Sequence, residues 1–166
     1  RRIQKKAEPG GPRLNLAERA FAAGGRNGLR AGGIACMSAR EGRPYLAAVT
    51  GAFSREVVGW SMSGRIAEKA AIDATGRAVG REGPPDDGGL VSHGGQGAQC
   101  ASRSLRRCLD SHGTAQSASR PGSAAGQRGG RAVLQDAERG IGGREEPWDE
   151  GRGQTGHPQV HRALLQ

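Results

Sequence analysis

Two short runs do most to limit what this chain can fold into: YLAAVT (45–50) and REVVGWSMS (55–63), parted by GAFS. Both are enriched in β-branched and aromatic residues, so they read as two strands joined by a short connection, a hairpin. From Ile66 to Val79 the period changes, with Ile72, Thr75 and Val79 at helical spacing, which predicts a helix. GREGPPDDGG (80–89) reads as a loop and LVSH (90–93) as a short buried strand. SLRRCLDSHG then places Leu105, Cys108, Leu109 and His112 at i, i+3, i+4 and i+7 ahead of Gly113, the pattern of an amphipathic helix closed by glycine.

Beyond residue 113 the pattern fades. Thr114 to Gly130 is Gly, Ser, Ala, Gln and Arg with no apolar period, so the least order is expected over 114–130 and over the first 13 residues. Arg131–Arg139 has length for two helical turns, and Ile141–Gln166 is mostly polar. Leu, Ile, Val and Phe supply only 24 of 166 residues while Gly and Pro supply 30 and 8, close to the composition at which disorder competes with a core. The length allows one domain. No apolar run nears the ~20 residues that span a bilayer, which excludes an integral helical membrane protein. No signal-peptide pattern opens the chain, and the missing initial Met reads as a fragment.

The formal net charge of +9 points to a polyanion, with nucleic acid as the expected partner. Residues 1–13 (RRIQKKAEPGGPR) form a basic linker whose Arg1, Arg2, Lys5, Lys6 and Arg13 are the candidate nucleic-acid contacts. The three cysteines, Cys36, Cys100 and Cys108, are odd in number, and together with His93 they match no zinc spacing; reduced thiols are expected. GGQG (94–97) and GQRGG (126–130) lack the lysine and the strand-to-helix context of a phosphate loop.

NLAERAF (15–21), EGRPYLAAV (41–49), FSREVVGWSMSGR (53–65), LVSHGGQGAQCAS (90–102) and SASRPG (117–122), in this order, resemble the catalytic core of insertion-sequence transposases of the retroviral-integrase-like group. That family writes these segments roughly as NLLERDF, EGWLYLAVV, FSRKVVGWSMSDR, LIHHSDRGSQYAS and SMSRKG. The resemblance implies an α/β fold, an RNase H-like mixed sheet flanked by helices, in the order strand, strand, strand, helix, strand, helix, helix. It covers residues 14–139, leaving 1–13 as a tail and 140–166 as a remainder. It also implies DNA integration and transposition by strand transfer, which in the family needs three carboxylates holding two Mg²⁺ or Mn²⁺ ions.

Matched residue by residue, the family's first Asp falls on Gly33, its second on Gly95, and its Glu on Arg131. The frame of the site is kept and its ligands are gone, so no cofactor and no catalysis are expected. Asp86, Asp87, Asp110, Asp136 and Glu138 read as solvated acids; Glu138 lies seven residues, or ~10 Å, beyond Arg131 on a helix. The departures share a direction: family Asp becomes Gly33, Gly51, Gly64 and Gly95, Tyr becomes Cys36 and Cys100, Thr becomes Ala35 and Ala39, Trp becomes Arg30 and Arg43, and Lys becomes Glu56. Each is a single A→G or T→C transition, the expectation for a frame drifting toward GC. The expected partner is DNA without sequence preference, with self-association or association with an intact transposase as further partners, in the cytoplasm or on the nucleoid. The alternatives are a non-catalytic basic DNA-binding or transposase-interacting fragment, and a disordered product of a decayed gene.

Overall fold

The computed structural model describes residues 28–36, 44–54, 56–64, 67–83, 89–94 and 102–119. They form β1 (Leu29–Cys36), β2 (Tyr45–Gly51), β3 (Val57–Ser63), α1 (Ala67–Glu82), β4 (Val91–Gly94), α2 (Arg103–Ser111) and β5 (Ala115–Ala118). The five strands make one sheet in the order β3-β2-β1-β4-β5. β1 to β3 run antiparallel, whereas β4 joins β1 and β5 joins β4 in parallel. Parallel neighbours need a crossover, and α1 and α2 occupy the two connections.

The hairpin falls where the apolar runs place it, with Tyr45 opposite Ser63 and Ala48 opposite Trp60. Its register shifts between Val49 and Thr50: Val49 faces Gly59 and Thr50 faces Val57, which leaves Val58 as the extra residue of a β-bulge. A bulge turns consecutive side chains to one side, and Val58 accordingly joins Ala47 and Val49 against α1. α1 presents Ala70, Ala74 and Ala78, all essentially inaccessible, at a spacing of four. These small side chains let the helix approach the sheet closely. At Gly59 a Cβ would overlap the Ala74 carbonyl oxygen and lie 2.6 Å from the Ala78 nitrogen.

α1 runs three residues past the expected end at Val79, through Gly80 to Glu82, into what reads in sequence as loop. Side-chain anchors explain the extra turn. Arg81 Nη1 donates to the Val57 carbonyl at 3.2 Å and Arg30 Nη2 to the Gly83 carbonyl at 2.7 Å, before Gly83 leaves the helix with φ +63°. α2 begins at Ser102, whose hydroxyl accepts from the Leu105 N–H at 3.1 Å. It buries Leu105 and Leu109 against Ala71 and ends before Gly113, φ +64°.

Two elements depart from the residue pattern. LRAGGIAC, with paired glycines and an arginine, carries no strand signal of its own, yet it is the middle strand. Within the segment expected to be least ordered, Ala115–Ala118 is a strand. Main-chain pairing with β4 holds it, so small buried side chains, Ser117, Ala118 and Ser119, suffice without an apolar period. The expected helix over 131–139 lies outside the described residues, and so do the tail and residues 140–166.

Candidate functional site

Gly33 is a residue of β1, paired with Ala48 of β2. Strand alternation assigns its face. Ile34 packs with the α1-facing cluster, so Gly33 lies on the opposite face of the sheet, the face of Leu46, Ala48 and Met62. On its other side β1 pairs in parallel with β4, Ala31 opposite His93. The described part of β4 stops at Gly94, one residue before Gly95. The middle strand thus carries Gly33, the first position of the expected frame, with β4 beside it as far as Gly94. Gly95 itself, Arg131, Arg1, Arg2, Lys5, Lys6 and Arg13 lie outside the described residues.

Among the described residues, what surrounds Gly33 does not suit a divalent ion. Hard cations take charged oxygens, and glycine offers no side chain. Among the described residues no three His, Cys, Asp or Glu side chains converge as a metal set. The acids that are described serve elsewhere or face water: Asp73 pairs with Lys69 at 2.7 Å, Glu82 lies 3.9 Å from Arg30, Glu68 lies in the first turn of α1, and Glu56 and Asp110 are exposed.

His93 is buried on β4, and its Nδ1 meets the Ser117 hydroxyl of β5 at 2.8 Å. This polar tie lies inside the sheet, where a solvent-borne substrate does not reach. Cys108 lies half-buried on α2, and burial, then the Asp73 charge, pushes its thiol above the ordinary range. A thiol so held is the poorly nucleophilic form. His112, the nearest imidazole on the helix, contacts the Cys108 carbonyl oxygen at 2.6 Å through Nδ1. A Cys-His nucleophile pair therefore does not form between them. The Cys36 thiol and Cys100 lie outside the described residues.

The arginines are the feature that residue patterns did not resolve. Arg30, at 3 % exposure, stands where the resemblance writes Trp. Burial lowers its pKa, with Glu82 acting the other way, and its donation to Gly83 places a cation at the C-terminal end of α1, where the helix dipole favours it. Arg77 Nη1 donates to the Trp60 carbonyl at 2.8 Å and lies 5.9 Å over the Trp60 ring. On α2, Arg103 and Arg107 are exposed, and Arg106 Nε reaches Gln116 at 3.5 Å. The i, i+4 spacing of Arg77 with Arg81 and of Arg103 with Arg107 was the available signal.

The fold is that of the integrase catalytic cores. It matches a chain of the simian T-cell lymphotropic virus intasome with a TM-score of 0.64 at 14% identity, covering 83% of this chain and 47% of that one. The integrase catalytic core domain of HTLV-2, solved with magnesium, matches at 0.58 and 14% identity, covering 84% of both chains. Sequence comparison is more specific. Residues 27–124 match the Integrase core domain family, and the chain belongs to it. The transposase of insertion sequence element IS904 from Lactococcus lactis is 37% identical over 66% of this chain and 43% of its own length. Transposase InsF of insertion sequence IS3A from Escherichia coli K12 is 38% identical over 59% of this chain and 33% of its own. The chain therefore spans less than half the length of these insertion-sequence relatives. No helix among the described residues is long and apolar enough to cross a membrane.

Proposed function

We propose that this chain is a transposase catalytic-core segment that neither cuts nor joins DNA and that retains weak duplex binding without sequence preference. The observation that carries the reading is Gly33: in an integrase-type sheet, the middle strand that should bring the first carboxylate to the site brings a hydrogen atom instead. Gly95 and Arg131 at the other two matched positions support it, and the arginine adds positive charge where metal charge belongs. Members of a cooperative catalytic set are individually worth most of the rate, so losing three leaves no metal-assisted route. The core spans 14–139 on this reading, with 1–13 as a basic arm and 140–166 as a remainder of unassigned role.

Binding follows from charge. With 25 basic against 16 acidic residues, the chain releases condensed counterions on contact with phosphates, and affinity falls with log salt at ~0.9 per contact. Arg1, Arg2, Lys5, Lys6 and Arg13 are densely spaced and supply contacts that position without specifying sequence. The chain then acts as a non-catalytic DNA-associated protein, on its own or beside an intact transposase. The test is incubation of the purified chain with duplex DNA and Mg²⁺ or Mn²⁺. No nicking or strand transfer is expected; metal-dependent nicking abolished by a single substitution in this chain overturns the reading.

A further inference from the structure

The charges of α2 run against its own dipole. Its first turn holds Arg103 and Arg106 with no acid, Arg107 follows, and its single acid, Asp110, lies in the last turn, which has no base. Helices favour the reverse order, acids first and bases last. α1 carries both signs at both ends, Glu68 with Lys69 in its first turn and Arg81 with Glu82 in its last, so the uncompensated charge is particular to α2. Position in the fold does not account for the exception, because α2 is fastened against Ala71 of α1 by the apolar side chains Leu105 and Leu109 and not by its charges. Arg30, Arg77 and Arg81, in contrast, bond main-chain carbonyls of the fold: Arg30 donates to Gly83, Arg77 to Trp60 and Arg81 to Val57. Arg103 and Arg107 are exposed one helical turn apart and have no hydrogen-bond or ion-pair partner among the described residues. A local rule broken on an anchored helix, uncompensated at Arg103 and Arg107 by any partner among the described residues, marks a surface suited to a ligand of opposite charge.

We propose that Arg103, Arg106 and Arg107 form a second, folded contact for the phosphate backbone of duplex DNA, separate from the basic arm. The inference rests on the duplex-binding reading above and assigns it a place. Arginine suits this role, since its planar fork bonds two phosphate oxygens at once. Gln116 of β5 contacts Arg106 at 3.5 Å, and the buried leucines fix the helix that carries all three arginines. Contacts to phosphate oxygens add affinity and salt sensitivity without specificity.

The full chain is titrated with a random duplex across a salt series, beside Arg103→Gln/Arg107→Gln and a variant with the five arm cations changed to Gln. Loss of two contacts lowers the slope of log K against log salt by ~1.8 in the double variant. Its thermal midpoint stays level or rises, because cations leave the positive end of a helix. An unchanged slope and affinity in the double variant overturns this proposal while leaving duplex binding standing. Failure of the unaltered chain to bind the duplex at low salt overturns both readings. Should the double variant unfold, the unaltered chain decides: a dicarbonyl arginine reagent is expected to modify Arg103 and Arg107 less when duplex is present, and equal modification with and without duplex refutes the contact.

Discussion

The two halves of the sheet hold together by different means. On the β2–β3 side, Ala47, Val49 and Val58 meet Ala70, Ala74 and Ala78 of α1 in an interface of small apolar groups. On the β4–β5 side, an apolar contact of Val91 with Leu29 and Ala115 stands beside buried polar groups: His93, Ser117 and Ser119 are buried, and Ser117 binds His93. The first half depends on close approach and tolerates no added volume. The second depends on paired polar groups and tolerates no loss of a partner. A chain with few large aliphatic residues can complete a sheet in this way, using main-chain ladders where it lacks apolar bulk.

The largest effect is expected at the closest approach. Gly59→Val places carbons where the backbone of α1 already lies, and backbone cannot rotate aside as a side chain does. A loss of about 3 kcal/mol, read as a lower midpoint in chemical denaturation, is expected; a neutral result breaks the account of the helix–sheet contact. Ser117→Ala tests the opposite half. It leaves buried His93 without that hydroxyl and should lower stability by ~1–2 kcal/mol. Ser61→Ala is the matched control and carries the smallest effect, of opposite sign. Ser61 is fully buried on the hairpin side, and its hydroxyl has no hydrogen-bond partner among the described residues. Removing it should raise stability by up to about 1 kcal/mol. If the two serine variants respond alike, the halves do not differ as described.

That division also explains what residue patterns could reveal. β2, β3, α1 and α2 carry apolar runs or helical periods, and all four stand close to where those patterns place them. β1 was legible only through the family resemblance, because Arg30, Gly32 and Gly33 erase its alternation. β5 was not legible at all, since its strand character comes from its neighbour's hydrogen bonds and not from its own side chains. Of the candidate site, Gly33 was located by matching flanking segments, and nothing in its own chemistry marks it. The α2 arginines were visible as residues, but their freedom from internal partners required knowing where each guanidinium points.

The inward-turned arginines of α1 have one more consequence. Among the described strands, β3 is outermost on its side of the sheet. The Gly51 N–H bonds the Glu56 carbonyl, so antiparallel alternation across the bulge sends the carbonyls of Val57 and Trp60 away from β2. Such an outward row is a template on which another extended chain can add itself, the route to strand-by-strand aggregation. Arg81 and Arg77 occupy those two acceptors. An incoming strand would have to displace both guanidinium groups, so on that border the helix that fills the interior also closes the sheet against further growth.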